Sequence, residues 1–207
     1  ELRVSRDAVL LDHVTDFAEV PAFGERRTMD ADADGEASAT ESHAYARTSC
    51  SAFARDLSLV ADGERLALGL IETGISFPIG QGAPTVRLVC VYSAPFAMGP
   101  SASTSFEFAD QSQRERQGWR EVLVRGDGVT VEASDALAAS ISDRLTSYPA
   151  DLLSVPVGQS TATFSVTPGG PALSPFDVPD ALPMAAVAVI GQPRGSPQPC
   201  AVPGEPA

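Results

Sequence analysis

Apolar and polar positions change their spacing twice along the chain, and each change marks a different kind of element. At the start, Leu2-Arg3-Val4 and Ala8 to Ala18 alternate with period two and predict two strands about the turn Ser5-Arg6-Asp7. In the second of them Val9, Leu11, His13, Thr15 and Phe17 share one face, with Leu10, Asp12, Val14 and Asp16 on the other. Pro21 then opens a short helical stretch that runs to Met29. Over Ala39 to Leu57 the period is helical: Tyr45, Cys50, Phe53, Ala54 and Leu57 recur near i, i+3, i+4 and i+7 and form one apolar face.

After that helix the alternation returns. Leu57-Ser58-Leu59-Val60, the turn Asp62-Gly63 and Arg65 to Ile71 predict a β-hairpin. Thr85 to Tyr92 is rich in β-branched and apolar residues and predicts a central strand. Ser103 to Phe108 is another strand, with Phe106 and Phe108 on one face. Trp119 to Val124 and Val129 to Ala133 flank Gly126-Asp127-Gly128, a second hairpin signal. Ser134 to Leu153 is mixed and predicts one or two short helical turns broken at Pro149, before a last strand at Thr161 to Val166. From Pro168 onward Pro and Gly crowd the chain without periodicity, and there is no internal repeat. The expectation is a mainly β, β-sandwich-like domain over residues 1–168, α+β overall, with a helix–loop–helix inserted at 21–57. Residues 169–207 are expected to be a Pro/Gly-rich linker or tail.

Charge narrows the partners. The chain has 27 acidic against 14 basic residues, a net charge of −13. Such a chain is repelled by nucleic acid and by anionic lipid surfaces, and favours a divalent cation instead. The longest uncharged apolar stretch, Ala181 to Ile190, is interrupted by Pro183 and falls short of the ~20 residues a membrane helix needs. The opening residues read as a strand already under way, with no signal peptide, which suggests a chain trimmed at its N-terminus. Of the three cysteines, Cys50 and Cys90 sit in structured segments and Cys200 in the Pro/Gly-rich stretch. A Cys50–Cys90 disulfide and two buried free thiols are both open, and a disulfide points to an extracytoplasmic location.

The sharpest motif is Asp30-Ala31-Asp32-Ala33-Asp34-Gly35-Glu36-Ala37-Ser38-Ala39-Thr40-Glu41, which fits the EF-hand calcium pattern at every specified position. Calcium takes six to eight hard oxygen ligands, and this spacing arranges them. Asp30, Asp32 and Asp34 fill positions 1, 3 and 5, and Gly35 allows the sharp turn at position 6. Glu36 offers its carbonyl at position 7, and Ser38 suits a ligand acting through water at position 9. Glu41 closes the shell at position 12. A match of this kind arises by chance in roughly one chain of this size in a few thousand. With no second loop, and Ala37 where a partner loop would pair, the site reads as solitary and structural. Outside the cytoplasm its affinity is expected on the order of 10⁻⁴ to 10⁻³ M.

Catalytic patterns are missing. His13 reads as a strand residue and His43 as a surface or capping residue just past the loop; neither belongs to a hydrolase or zincin motif. Gly80-Gln81-Gly82 reads as a turn, and Trp119 as a core anchor at the start of a strand.

Several stretches in order carry a family resemblance: Thr15 to Phe23, the acidic loop, Ile75 to Cys90, Gly118 to Val131 and Ser142 to Pro156. Together they resemble the N-terminal extracytoplasmic domain of multi-pass membrane proteins of high-GC bacteria grouped with nickel/cobalt transporters. The resemblance covers about residues 1–170 and implies a transmembrane region following the Pro-rich stretch. It does not imply nickel or cobalt here, because no His/Cys cluster is present. The expectation is a non-enzymatic, calcium-binding ectodomain of a membrane transport-like protein. The alternatives are a secreted or surface module that binds protein or glycan and, more weakly, a hydrolase whose acidic residues converge only in the fold.

Overall fold

The computed structural model describes residues 1–99, 103–148, 158–175, 177–178 and 181–183. Along the chain come β1 (Leu2–Val4), β2 (Ala8–Phe17), α1 (Glu19–Met29), α2 (Ala39–Asp56), β3 (Leu57–Ala61), β4 (Glu64–Arg65) and β5 (Gly69–Ser76). After them come β6 (Val86–Pro95), β7 (Thr104–Asp110), β8 (Val124–Gly126), β9 (Val129–Glu132), β10 (Thr161–Pro168) and β11 (Leu182–Pro183). One sheet has the order β11-β5-β6-β2-β1-β8 and the other β4-β3-β7-β10-β9. Among the described residues the fold is thus mainly β with two helices, as the alternation indicates.

The two sheets enclose one apolar core. Val9, Leu11 and Phe17 of β2 and Leu88, Cys90 and Tyr92 of β6 contribute from the first sheet, and Leu59, Phe106, Phe108 and Phe164 from the second. Each such side chain taken fully out of water contributes about 1.5–3 kcal/mol. The run of apolar residues in β6 arises because that strand is covered on both sides. Its other face, Val89 and Val91, is buried with Val14, Val178 and Ala181.

The second helix packs against the same face of the first sheet as the opposing strands do. Cys50 of α2 is disulfide-bonded to Cys90 of β6, with the Cα atoms 5.5 Å apart. Beside that bond the Tyr92 hydroxyl donates to the Cys50 carbonyl at 2.6 Å. Asp56 ends the helix and Leu57 begins β3, so no linker separates the two.

Four expectations are corrected. First, α1 begins at Glu19, two residues before Pro21; the proline sits in the first turn, where no helical N–H is required of it. Second, the turn at Asp62-Gly63 forms, with φ of 49° and 84°, but β4 pairs for only two residues. The chain then crosses to the other sheet as β5, because Leu66 and Leu68 turn against the core. Third, the strands around Gly126-Asp127-Gly128 do not pair with each other: β8 lies parallel to β1, and β9 antiparallel to β10. A glycine is required at the crossing, since a Cβ on Gly126 would lie 2.2 Å from the Val129 carbonyl oxygen.

The fourth concerns the boundaries. No helix forms over 134–148. Instead Asp143, Arg144 and Leu145 take three successive left-handed φ values of 47°, 58° and 64°, and residues 149–153 lie outside the described residues. The fold also does not stop at residue 168. The Leu173 N–H donates to Asp127 at 2.9 Å, Val178 is buried, and β11 pairs antiparallel with β5. Pro and Gly are tolerated there because this segment covers a sheet rather than joining its middle. Cys200 and the rest of the expected tail from residue 184 lie outside the described residues.

Candidate metal centre

The acidic loop joins the C-terminus of α1 to the N-terminus of α2. Met29, last in α1, is buried and anchors the entering helix. Gly35 takes φ +95° with open space around it, as the sharp turn requires, and Ala33 takes φ +61°. One carboxylate oxygen from each of Asp30, Asp32 and Glu41 lies within 4.8 Å of the others. Asp34 is outside that group. Its carboxylate instead accepts the Glu36 N–H at 2.9 Å. Ser38 caps α2, and its hydroxyl donates to Glu41 at 2.7 Å. Glu36 is exposed.

Backbone amides offset the crowding of negative charge. Asp30 accepts from Asp34 and Gly35, and Asp32 from Asp34. Glu41 accepts from Ala31 at 2.7 Å, Asp32 at 3.2 Å and Ser38 at 2.9 Å. These contacts, the Ser38 hydroxyl first, hold the Glu41 carboxyl down at about 2, from an ordinary value of 4.5. A depressed carboxylate supports folded structure above the ordinary range and loses that support as the pH falls from 4.5 toward about 2. Removing the capping hydroxyl with Ser38→Ala should return the Glu41 titration toward its ordinary value. It should also cost about 1 kcal/mol in unfolding free energy. Carboxyl NMR titration with a denaturation curve checks both effects, and an unmoved titration would refute this account of the loop.

The donor set is all oxygen and carboxylate-rich, which suits a hard divalent cation and not nickel or cobalt. Glu41 is ionised throughout the physiological range, and the loop already holds three carboxylates in mutual reach. The residues fit calcium.

A second polar constellation was not legible in the sequence. It lines a cavity of about 860 Å³ between β2 and the segments around residues 116–123 and 144–148. His13 Nε2 lies 3.2 Å from Asp110 and 3.3 Å from the Ser112 hydroxyl, which itself donates to Asp110 at 2.6 Å. Burial pushes the Asp110 carboxyl up, but the bonds from His13 and Ser112 outweigh it and leave the group below its usual range. These are the residue types of a serine hydrolase in the wrong arrangement. Serine and carboxylate crowd the same imidazole nitrogen, and the serine proton is given to the acid. Nearby, Arg144 makes a two-pronged contact with Asp12 at 2.6 and 2.9 Å. Glu121 accepts from the Ser140 and Ser142 hydroxyls and the Ile141 N–H. These bonds hold the left-handed turn in place. Trp119 is half-buried and packs edge-on against Tyr148 at 5.6 Å beside this cavity, rather than in the core. Gly80-Gln81-Gly82 is a turn, as expected, with Glu19 accepting from the Gly82 and Ala83 N–H groups.

Fold and loop together define a β-rich domain with an acidic helix–loop–helix. Comparison with protein-family models, curated proteins and solved structures finds no match to the chain.

Proposed function

We propose that the loop from Asp30 to Glu41 holds one calcium ion, which braces the corner between α1 and α2 of a non-enzymatic, extracytoplasmic domain. The observation that carries this reading is the mutual approach, within 4.8 Å, of carboxylate oxygens from Asp30, Asp32 and Glu41. Asp30, Asp32, Asp34 and Glu41 would hold the ion with their carboxylates, Glu36 with its carbonyl and Ser38 through water. The ion would neutralise this cluster and tie the two helices together. The Cys50–Cys90 disulfide supports a location outside the reducing cytoplasm. The sequence resemblance supports a place in a membrane transport-like protein, with a transmembrane region of the same protein as its neighbour. Among the described residues no helix is long and apolar enough to cross a membrane.

With a dissociation constant near 10⁻⁴ M, about 1 mM calcium adds roughly 1.4 kcal/mol to the folded state by mass action. That corresponds to about 3–6 °C in melting temperature for a domain of this size. Thermal unfolding in excess chelator against calcium measures the effect. Asp32→Ala should abolish the shift, as should Glu41→Gln, which keeps the helix cap. No shift in the native chain, or an equal shift in the variants, would sink the proposal.

A further inference from the structure

α1 packs on the body of the domain through the side that buries Ala22 and Met29. With about 3.6 residues per turn, Val20, Phe23, Gly24 and Arg27 fall together on the opposite side, at i, i+3, i+4 and i+7. All four are exposed, Val20 by 86% and Phe23 by 67%. Phe77 and Ile79, in the loop that follows β5, are exposed by 37% and 76%. The Arg26 guanidinium lies 5.9 Å from the Phe77 ring centroid and ties that loop to the helix. Four of the seven large apolar side chains exposed among the described residues therefore sit on α1 and one loop beside it, a patch rather than a scatter. Phe23, Gly24, Arg27, Phe77 and Ile79 all lie outside the cavity beside β2.

Two members of this face have no task inside the chain. A Cβ on Gly24 would meet nothing within 4 Å, so no close contact in the fold calls for glycine there, and glycine within a helix lowers its stability. Among the described residues Arg27 has no hydrogen-bond or ion-pair partner. The face is also complementary to itself. Turned end for end about a point between Phe23 and Gly24, it sets each Phe23 against a Gly24 and each Val20 against an Arg27. A ring then meets the gap left by a missing side chain, and an apolar side chain meets the stem of an arginine.

We propose that α1 joins two copies of this chain, its exposed face packed antiparallel on the same face of the second copy across a twofold axis between Phe23 and Gly24. Such a contact is isologous, so one patch supplies both sides of it. Each Phe23 ring covers the other copy's Gly24, where the absent side chain lets the helices approach closely. Each Arg27 lays its stem along the other copy's Val20 and brings its guanidinium to Glu19, one residue earlier. Phe77 and Ile79 flank the crossing and add apolar area. Charge selects the antiparallel sense, because parallel helices would set the two acidic loops side by side. Antiparallel, the loops leave from opposite ends of an 11-residue helix, at least about 16 Å apart and beyond the screening length of about 8 Å at physiological ionic strength. An unlike partner needs none of this reciprocity, and the net charge of −13 opposes an anionic membrane. The proposal is independent of calcium.

The test is sedimentation equilibrium of the whole chain from about 1 µM to about 1 mM, with Cys200→Ser to exclude a disulfide between copies. The expected result is a monomer–dimer equilibrium that goes no further, because the contact closes on itself. Gly24→Leu should weaken the dimer about tenfold or more by filling the gap that receives Phe23. Its melting temperature, read at a dilution where the native chain is monomeric, should hold or rise, since leucine is the better helix former and has open space there. Phe23→Ser, at a position exposed in the monomer, should weaken the dimer to a similar degree. Three results would overturn the proposal. The native chain could stay monomeric at about 1 mM, which leaves the face to an unlike partner or a lipid surface. Either variant could leave the dimer intact, which places the contact elsewhere. Assembly could grow past the dimer with concentration, which makes the contact an open one.

Discussion

Replacing both Cys50 and Cys90 with alanine is expected to lower the unfolding free energy by about 4 kcal/mol. The bond joins positions 40 residues apart. In the chain-entropy account its absence lets the unfolded chain expand, so the native state is not what changes most. Both sulfurs are fully buried between α2 and β6, and alanine removes some packing as well. The Tyr92 hydroxyl keeps its backbone partner on residue 50, which leaves that contact intact. Guanidinium unfolding of the variant beside the native chain measures the loss, and the slope should steepen because more surface is exposed on unfolding. A loss below about 1 kcal/mol would mean that the reduced unfolded chain is already compact.

Phe106→Ala should cost about 3–5 kcal/mol. Phe106 is 1% exposed and stands directly across from Phe164 in the β7–β10 ladder. The two rings are nearly parallel, with centroids 5.0 Å apart, and Phe96 meets Phe106 edge-on at 5.3 Å. Alanine removes the shared member of both pairs and leaves a void that neither neighbour can fill without a shift of its backbone. Equilibrium denaturation measures the loss. Phe106→Leu, which keeps most of the volume, should lose distinctly less. Equal losses would show that ring geometry matters there and volume does not.

Local patterns carried much of this architecture into view. Alternation in β2, β7 and β10, the apolar run of β6 and the apolar face of α2 report burial that each element enforces on its own residues. The acidic loop is legible for the same reason, since its proposed ligands come from twelve consecutive residues. The features that stayed hidden depend on partners distant in sequence. Asp62-Gly63 and Gly126-Asp127-Gly128 carry the same turn signal. Only the first closes a hairpin, and the path of the chain beyond each turn is set by where Leu66 and Val129 are buried. The left-handed turn at Asp143–Leu145 is held by Glu121 and Asp12, and no local propensity encodes that. The His13, Asp110 and Ser112 cluster joins β2 to the end of β7 across about a hundred positions, so neither spacing nor composition could indicate it.

The acidic loop divides the chain in an unequal way. Before it lie β1, β2 and α1; after it lie α2, every remaining strand and both ends of the disulfide. Yet β2 pairs with β6 along all ten of its positions, so the smaller part is built into the middle of a sheet that the larger part completes. A single peptide bond cleaved between Met29 and Ser38 would therefore release nothing, and the two fragments would remain one body. Asp30 and Glu41 could then fall on different polypeptides, and a cation bound there would act as a clasp between chains.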